Sequence, residues 1–418
     1  INKDIKANNK MFIKVQNTND TYYQILNNYY NYPLDNLKLI GITGTDGKTT
    51  TAMIINDLLN NYVNSSYLGT NGFILKEKVI KTKNTTPSID TLFKYFDVLN
   101  KNNYDNLVME VSSEALLHNR CHNINFDIAV LTNIKKDHLN IHKTFKNYLE
   151  SKTKLFKQAN LCILNKDDKH FNYIKRKCNK NIITYGTNKK CDYYFYDINE
   201  YRDKTTFKLK VNNKIYNITS PLIGKFNVYN ALAAISAVSF FDIPDKAVVE
   251  GLHKAKVKGR VEPVPVPGNY SLIIDYAHNA LSMENVLSTL RLYKPNRLIT
   301  MFGAGGNRPK VRRYEMGETS GRLSDLSVIT EDNSRFEDVM DIIEDIKTGL
   351  AKTDGKYVVV PNRKDAIRYC MENAQDGDII VLAGKGHEDY QEIKGVKYHM
   401  DERELVADII KEMSEKSK

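Results

Sequence analysis

The sequence predicts an α/β protein with two domains, each built on a mostly parallel β-sheet. Apolar runs that end in small or polar residues alternate with helical patterns, which is typical of βα units. The alternation of polar and aromatic residues at 191–217 indicates antiparallel hairpin strands, and a second βα series begins near Arg260. A chain of 418 residues also exceeds what one hydrophobic core usually supports.

The predicted strands of both series end in polar residues. In the first series they are LKLIGITGT, NLVMEVSS, DIAVLTNI and LCILNKDD, with KTTTAMIINDLLNNYV as the first helix. In the second series they are SLIIDYAHN, RLITMFGAG, DLSVITEDN and DIIVLAGKG. Ligands of such sheets bind beyond the carboxyl ends of the strands, so these polar ends are candidate sites. The turn-rich segment KVKGRVEPVPVPGNY between the series predicts a short N-terminal segment (1–36), a central domain (37–257) and a C-terminal domain (258–418).

Composition excludes several classes of protein. No apolar run reaches the length of a membrane span and no signal segment opens the chain, so we expect a cytoplasmic protein without membrane insertion. The odd, scattered set of cysteines favours reduced thiols: Cys121, Cys162, Cys178, Cys191 and Cys370. The net charge of +11 is spread along the chain without an arginine-rich tract. We therefore expect a monomer that binds no nucleic acid and whose basic surface suits a small polyanion such as a nucleotide.

A glycine-containing loop follows the first predicted strand and precedes the first helix of this series. It runs from Thr43 to Thr50 and reads TGTDGKTT. Glycines let the backbone wrap closely around phosphate oxygens, whose charge is met by the N–H groups at the helix start. Lys48 would reach the terminal phosphates, and Thr49 would offer its hydroxyl to Mg²⁺. The spacing departs from the full Walker A pattern, which would need glycine at Ile42.

Four further segments follow this loop. They read NTTPS (84–88), MEVSSEALLHNR (109–120), TNIKKDHLNIH (132–142) and NYLESKTKLF (147–156). Together with the shortened phosphate loop, their order and spacing resemble those of the Mur ligases, and among them of the MurE-type enzymes. The resemblance implies a central P-loop ATPase domain, a C-terminal Rossmann-like α/β domain and a short N-terminal remnant of a UDP-binding domain.

The resemblance also implies ATP-dependent formation of an amide bond through an acyl phosphate, with Mg²⁺ as cofactor. It assigns catalysis to Lys48, Glu110, His138 and Lys152. It assigns metal binding to Thr49, Glu110, His138 and Lys152, the last after carbamylation of its amine. A carboxylate at a strand end suits a hard cation, and metal ions neutralise the charge that gathers when phosphate is transferred.

Nucleotide contacts are implied in both predicted domains. They fall on the phosphate loop, on the segments LNKDD and GKFNVYNALAA, which match positions linked to adenine binding, and on GRVE and DYAHN in the C-terminal part. The residues are Gly44, Thr45, Asp46, Gly47, Lys48, Thr49, Thr50, Asn165, Asn227, Arg260, Asp275 and His278. The family usually has asparagine at the position of Asp46.

The resemblance places the two other substrates on separate segments. A UDP-linked peptide is assigned to Thr85, Thr86, Ser112, His118 and Arg120. The free amino acid is assigned to Arg308, Asp332, Asn333, Arg335, Gly384 and Glu388. The family usually carries His where this chain has Glu114, Gln at His118, and Pro at Ser334, so the chain departs from the pattern in both sites.

The resemblance implies a ligase that adds an amino acid, a diamino acid such as meso-diaminopimelate or lysine, to a UDP-linked cell-wall precursor peptide. Arg308 and Arg335 favour a diamino acid with two carboxylates, such as meso-diaminopimelate, over lysine, because arginine binds carboxylates through two hydrogen bonds. The short segment before the phosphate loop and Glu114 leave an archaeal pseudomurein peptide ligase acting on a UDP-glutamyl peptide as the alternative. A folylpolyglutamate-type ligase and a non-catalytic nucleotide-binding paralogue are the remaining alternatives.

Overall fold

The computed structural model describes residues 14–76, 78–178, 181–201, 204–255 and 257–416. These residues form two compact units. Unit 1 contains the described residues up to Asn199 together with Thr205–Pro221 and Phe226–Ala255. Unit 2 contains the short segments between these ranges and the chain from Val257 onwards.

Unit 1 alternates helices with strands over most of its length. Its helices are α1 (Thr18–Tyr29), α2 (Lys48–Asn60), α3 (Ile89–Lys101), α4 (Ser113–Leu117), α5 (Leu139–His142), α6 (Phe145–Lys157), α7 (Phe171–Lys175), α8 (Lys225–Val238) and α9 (Asp245–Lys254). Its strands are β1 (Lys38–Thr43), β2 (Ser65–Gly69), β3 (Gly72–Leu75), β4 (Lys78–Ile80), β5 (Asn106–Glu110), β6 (Phe126–Leu131), β7 (Ala159–Asn165), β8 (Asn181–Gly186), β9 (Tyr193–Glu200), β10 (Thr205–Val211) and β11 (Lys214–Ser220).

In the described residues, the strands of unit 1 form one sheet in the order β11-β10-β9-β8-β7-β6-β1-β5-β2-β3-β4. Strand β1 lies between β5 and β6 and is parallel to both. Its register pairs Ile42 with Glu110 and Thr43 with Leu131. The carboxyl ends of β1, β5 and β6 therefore lie side by side at one edge of the sheet. The phosphate loop follows directly from the end of β1.

The predicted elements of unit 1 are confirmed. Each first-series strand pattern corresponds to a strand (β1, β5, β6 and β7), and the residues after the loop form α2. The hairpin pattern at 191–217 corresponds to β9–β11, of which β10 and β11 are antiparallel. The core of this unit includes Phe93 and Phe96 of α3 and Phe126 of β6. Burial of this kind is the main stabilising contribution to such a domain.

Unit 2 is a smaller α/β unit. Its helices are α10 (Ala280–Arg291), α11 (Lys310–Leu323), α12 (Val339–Leu350), α13 (Arg363–Glu372) and α14 (Glu402–Lys416). Its strands are β12 (Glu262–Val264), β13 (Ser271–Asp275), β14 (Leu298–Phe302), β15 (Leu326–Ile329), β16 (Tyr357–Val359), β17 (Ile379–Ala383), β18 (Tyr390–Ile393) and β19 (Val396–His399).

The main sheet of unit 2 has the order β12-β13-β17-β14-β15-β16 in the described part of the chain. Only its edge pair β12–β13 is antiparallel among the described pairs, and β18 and β19 form a separate hairpin. The polar segments predicted as site loops follow the carboxyl ends of β13, β14, β15 and β17. The predicted α/β class, with one large mostly parallel sheet and a second α/β unit, is confirmed. The boundary at residue 257 stays a prediction.

Within the described ranges, no helix is both long and apolar enough to cross a membrane.

Candidate active site

The phosphate loop is held in shape by the segment after β6. Asn133 accepts a hydrogen bond from the Thr45 amide at 2.8 Å and, through its side chain, one from the Asp46 amide at 3.2 Å. Thr132 and Asn133 in turn donate to the Asp46 carbonyl at 2.6 and 3.1 Å. Lys135 adds one more hydrogen bond to the loop, because its amide donates to the Thr45 hydroxyl at 2.9 Å. A loop fixed this way needs little reordering when a ligand binds.

Gly47 takes a backbone conformation that suits only glycine. Its φ is +82°, in the left-handed region, where it caps the start of α2. A Cβ atom at this position would lie 2.2 Å from the side-chain oxygen of Asn230 in α8. That oxygen also accepts from the Thr51 hydroxyl at 3.4 Å, and the Asn230 amide group donates to Asn227 at 3.0 Å. Asn227, an expected adenine contact, is thus a buried part of the loop's support.

Two lysines converge on the loop. Lys48 donates to the carbonyl oxygens of Gly44 at 3.0 Å and Thr45 at 2.9 Å. Lys152 is 1% exposed and donates to the same Gly44 oxygen at 2.7 Å. Burial, and secondarily the charge of Lys48, hold the pKa of Lys152 well below its ordinary value of 10.5. A lowered pKa favours the neutral amine, which is the reactive form.

The position of Lys152 follows from the helix that carries it. The Thr144 side chain accepts a hydrogen bond from the Asn147 amide, so α6 begins with a polar cap. Tyr148 and Lys152 are four residues apart and therefore share one helix face. The Lys152 ammonium nitrogen lies 4.8 Å from the Tyr148 ring centre, and the Tyr148 hydroxyl lies 2.8 Å from the Thr45 hydroxyl. One face of α6 thus lies against the phosphate loop.

Glu110 is fully buried at the end of β5. One of its carboxylate oxygens accepts from the Thr49 hydroxyl at 2.9 Å, the Tyr67 hydroxyl at 2.5 Å and the Thr70 amide at 2.9 Å. The other accepts from the Thr70 hydroxyl at 3.2 Å. The structure therefore brings together two of the expected metal ligands, Thr49 and Glu110, and adds Tyr67 and Thr70, which the sequence patterns did not single out.

The donor set suits a hard cation. Thr49 and Glu110 offer oxygen atoms, and Mg²⁺ usually takes one or two carboxylates, keeps several waters and binds substrate phosphates. The described residues contain no group of three or more His, Cys, Asp or Glu side chains placed to hold a metal ion on their own. Such a site would rely on the nucleotide for its remaining oxygen ligands.

His138 lies at the start of α5 in the left-handed backbone region, with a φ of +53°. Its Nε2 atom is 3.4 Å from an Asp137 carboxylate oxygen, and its ring centre is 6.3 Å from that of Tyr148. A non-glycine residue in this region carries backbone strain, which is often found at functional sites. The side chain is about half exposed, and its neighbour Tyr148 contacts the phosphate loop through Thr45.

The residues expected to hold the UDP-linked peptide form a connected patch around β5. The Thr86 hydroxyl donates to the Glu110 carbonyl at 2.8 Å and accepts from the Ser112 amide at 3.0 Å. Arg120 donates to the Thr86 carbonyl at 3.1 Å and to the Glu114 carboxylate at 3.0 Å. Glu114, the residue that departs from the family pattern, therefore orients Arg120.

The remaining two residues of this set are more accessible. The Thr85 hydroxyl lies 3.3 Å from that of Thr70, and His118 is exposed at the end of α4. Asn165, an expected adenine contact at the end of β7, donates to the Thr132 carbonyl at 2.8 Å. It therefore connects the adjacent strand ends β6 and β7.

In unit 2, the expected nucleotide contacts surround the start of β12 and the end of β13. Asp275 is buried and accepts from the amides of Val261 and Ala277, each at 2.7 Å. The Arg260 guanidinium lies 4.9 Å from the Tyr276 ring centre, and His278 Nδ1 is 2.8 Å from the Tyr276 carbonyl oxygen. Asp275 fixes the backbone of these loops, whereas Arg260 is partly buried and His278 is exposed.

The expected amino-acid pocket is organised around a buried lysine. Lys385 is 0% exposed and donates to the Asn333 side chain at 2.6 Å, the Tyr390 carbonyl at 2.7 Å and the Glu388 carboxylate at 3.3 Å. Its nitrogen also lies 3.7 Å from an Asp332 carboxylate oxygen. Burial raises the pKa of Asp332, but Lys385 and Arg363 outweigh it and hold that pKa below its ordinary value. Burial raises the pKa of Glu388.

Arg335 has a firmly held backbone in spite of Ser334. Its φ is +53°; its amide donates to the Glu392 carbonyl at 3.0 Å, and its carbonyl accepts from the Lys394 amide at 2.6 Å. Its side chain donates to the Gly306 carbonyl at 2.7 Å and the Glu392 carboxylate at 3.2 Å. The β18–β19 hairpin thus supplies the rigidity that proline would give in the family pattern.

Gly384 and Arg308 complete the predicted amino-acid set. A Cβ atom at Gly384, whose φ is +110°, would lie 2.9 Å from an Asp332 carboxylate oxygen. The position therefore needs glycine, so that the β17 end can approach the Asp332 segment. Arg308 is exposed.

Sequence patterns missed the residues that hold the site in place. Lys135, Tyr148, Lys385 and Arg363 each contact a predicted site residue from a distant part of the chain. Arg363, 1% exposed, connects the Glu331 and Ala383 carbonyls to the Glu402 carboxylate. Lys135 lies in the segment TNIKKDHLNIH and Lys385 in DIIVLAGKG. Their charge alone does not distinguish them from solvated lysines.

A phosphate loop at the carboxyl edge of a parallel sheet, with lysines converging on it, defines a P-loop nucleotide-binding enzyme. Residues 42–238 match the Mur ligase middle domain, and residues 259–386 match the Mur ligase glutamate ligase domain. The chain belongs to the Mur ligase family, in its MurE-type branch, and is an ATP-dependent acid–amino-acid ligase, as the motifs predicted.

Individual relatives agree with this placement. The chain is 39% identical to UDP-N-acetylmuramoyl-L-alanyl-D-glutamate–2,6-diaminopimelate ligase of Caldanaerobacter subterraneus, over 96% of this chain and 83% of the relative. It is 40% identical to the enzyme of the same name from Clostridium botulinum, with the same coverage. A solved structure of a ligase with that name matches with a TM-score of 0.68 and 30% identity, over 94% of this chain and 83% of that one.

The fold extends to more distant ligases. The MurF ligase of Thermotoga maritima, solved in complex with ADP, matches with a TM-score of 0.66 at 17% identity, over 100% of this chain and 88% of that chain. At this identity the likeness concerns the fold alone.

Proposed function

We propose that the protein adds meso-diaminopimelate to UDP-N-acetylmuramoyl-L-alanyl-D-glutamate. The observation that carries this proposal is the similarity, over nearly the whole chain, to relatives named for that reaction. Arg335 supports it, since its backbone is fixed beside the Asp332–Asn333 segment. A guanidinium held in place is suited to one carboxylate of a diamino acid that carries two.

The reaction begins with the nucleotide in the phosphate loop. A carboxylate oxygen of the peptide substrate attacks the γ-phosphorus of ATP, the bond to the β,γ-bridging oxygen breaks, and ADP leaves with its electron pair. The product is an acyl phosphate. Lys48, the loop amides and the start of α2 stabilise the negative charge of the phosphoryl group as it moves.

Mg²⁺ would be held by Thr49 and Glu110, with His138 and carbamylated Lys152 as further ligands, and would neutralise charge on the phosphates. Lys152 is suited to carbamylation. The lowered pKa of Lys152 increases the fraction of its amine that is neutral. A neutral amine can attack CO₂, lose a proton and become a carbamate. Glu110 is fully buried and Lys152 is 1% exposed, so bulk water has little access to either side chain.

The amine of the incoming amino acid then attacks the acyl carbonyl carbon. A tetrahedral intermediate forms, phosphate leaves from that carbon, and the attacking nitrogen loses its proton to give the amide. We assign the amino acid to Asp332, Asn333, Arg335, Gly384 and Glu388, with Arg308 accessible at the adjacent loop. We expect Gly384 and Glu388 to meet the distal ammonium group. The carboxylates of Glu388 and Asp332 share one Lys385 ammonium, and this excess of negative charge supports the assignment.

A substrate panel tests the proposal. The purified protein is incubated with ATP and Mg²⁺, with UDP-muramoyl-dipeptide or a UDP-glutamyl peptide, and with meso-diaminopimelate, L-lysine or no amine, and released phosphate is measured. We expect release above the no-amine background only with UDP-muramoyl-dipeptide and meso-diaminopimelate. Release only with the UDP-glutamyl peptide would replace the proposal by the pseudomurein alternative, and release only with lysine would overturn the assignment of the amino acid. No release in any combination would favour a non-catalytic paralogue.

The cytoplasmic location, the monomeric state and the absence of nucleic-acid binding stay predictions.

A further inference from the structure

The phosphate loop carries a negative side chain at its tip, where a nucleotide brings its own negative charges. Asp46 lies between the loop glycines, and its amide and carbonyl are both bound to the segment after β6. A carboxylate placed beside phosphates opposes binding unless another group offsets its charge. The chain must therefore supply a cation close to Asp46.

Lys135 supplies that cation. Its ammonium nitrogen lies 3.5 Å from an Asp46 carboxylate oxygen. The position of Lys135 is fixed by its own backbone, because its amide donates to the Thr45 hydroxyl at 2.9 Å and its carbonyl accepts from that hydroxyl at 3.2 Å. The ammonium group is thus presented to Asp46 by the same segment that shapes the loop.

The neighbouring lysine provides a contrast. Lys136 is one residue further along and is exposed, whereas Lys135 is partly buried against the loop. Both lysines carry one positive charge, and they are adjacent in the sequence. The Lys135 ammonium lies 3.5 Å from Asp46, and its side chain is 41% exposed. A comparison with Lys136 therefore separates a local effect from a general effect of basic charge.

We propose that Lys135 is a positioning residue of the nucleotide site, which holds the Asp46 carboxylate away from the phosphates and offsets its charge. This proposal rests on the nucleotide binding that the proposed function requires, and it concerns neither the peptide nor the amino acid. Loss of Lys135 removes a cation that lies 3.5 Å from the Asp46 carboxylate, so less of the negative charge beside the nucleotide is offset. Replacement of Asp46 by asparagine removes the need for Lys135.

The test is a set of ATP dissociation constants measured by calorimetry on the full chain, without peptide or amine. We expect Lys135→Met to weaken ATP binding about five- to tenfold at low ionic strength, and Lys136→Met to change it less than about twofold. Asp46→Asn should tighten binding about two- to fivefold. In the Asp46→Asn background, Lys135→Met should cost no more than about twofold, and all differences should shrink in high salt.

Equal costs of Lys135→Met in both backgrounds, or equal effects of Lys135→Met and Lys136→Met, would overturn the proposal. Thermal unfolding of each variant shows whether it is folded, and a loss of affinity that high salt leaves unchanged would indicate a structural role instead. The outcome is separate from the substrate panel. Normal ATP binding with this pattern, but no phosphate release, would sink the proposed function and leave the Lys135 proposal standing.

Discussion

Among the residues that the structure describes, each unit has one lysine that is at most 1% exposed, and these two lysines have opposite surroundings. Lys385 in unit 2 lies among the carboxylates of Asp332 and Glu388 and the side chain of Asn333. Lys152 in unit 1 donates to the Gly44 carbonyl, lies over the Tyr148 ring and is near the charge of Lys48. Burial alone therefore does not set a lysine's role. Acidic side chains surround Lys385, whereas burial and the nearby charge of Lys48 lower the pKa of Lys152.

The largest expected effect concerns stability. Lys385→Met removes the cation from buried Asp332 and Glu388, and breaking a buried ion pair in this way costs about 3–5 kcal/mol. Lys152→Met removes one hydrogen bond to a carbonyl together with a desolvated amine, so we expect a cost of about 1 kcal/mol or less. Chemical denaturation followed by circular dichroism measures both. Similar costs would remove the distinction between the two lysines.

The next effect concerns rate. Lys48→Ala should lower ATP-dependent phosphate release by about 10²–10³-fold, because Lys48 stabilises the moving phosphoryl charge. The exposed Lys146 of α6 gives the matched control, and Lys146→Ala should leave the rate unchanged. Unchanged release in Lys48→Ala would remove Lys48 from the catalytic set.

A smaller effect tests the reactive amine directly. Removal of CO₂ and bicarbonate should reduce the rate about tenfold or more, because the carbamate that helps to hold the metal would be lost. Added bicarbonate labelled with carbon-13 should restore the rate and give a carbamate signal in the NMR spectrum. The signal should be absent in Lys152→Met and present in Lys385→Met. A carbamate signal that persists in Lys152→Met would place the reactive amine elsewhere.

The smallest effect is a pH dependence. Between the lowered pKa of Lys152 and its ordinary value of 10.5, the unfolded chain holds a proton that the folded protein does not. Stability from this residue therefore rises with pH in that window and is lost as the pH falls through it. With CO₂ and bicarbonate removed, so that Lys152 is a free amine, the difference in unfolding free energy should shift in favour of wild type over Lys152→Met as the pH rises, by at most about 1.4 kcal/mol per pH unit. A difference that does not vary with pH would contradict the lowered pKa.

The phosphate loop and the surroundings of the buried carboxylates differ in how well the sequence predicts them. The strand–loop–helix pattern around Thr43–Thr50 predicted the phosphate loop, since its signals are local: apolar residues, glycines and a helix period. The surroundings of Glu110 and Asp332 depend on contacts across the sheet, such as Tyr67 with Glu110 and Arg363 with Asp332. A single sequence does not show such pairings. The same is true of Lys135, which looked like any of the lysines around it.

The contact between Gly47 and Asn230 has a consequence for the synthesis of the chain. The loop takes its final form against a side chain that is translated much later, because the Thr51–Asn230 hydrogen bond joins residues 179 positions apart. A nascent chain that ends before α8 contains the loop and the segment after β6 but lacks the side chain that lies against Gly47 and Thr51. We therefore expect the loop to be fully supported only when most of unit 1 has been synthesised, and ATP to act as a ligand that favours the completed unit.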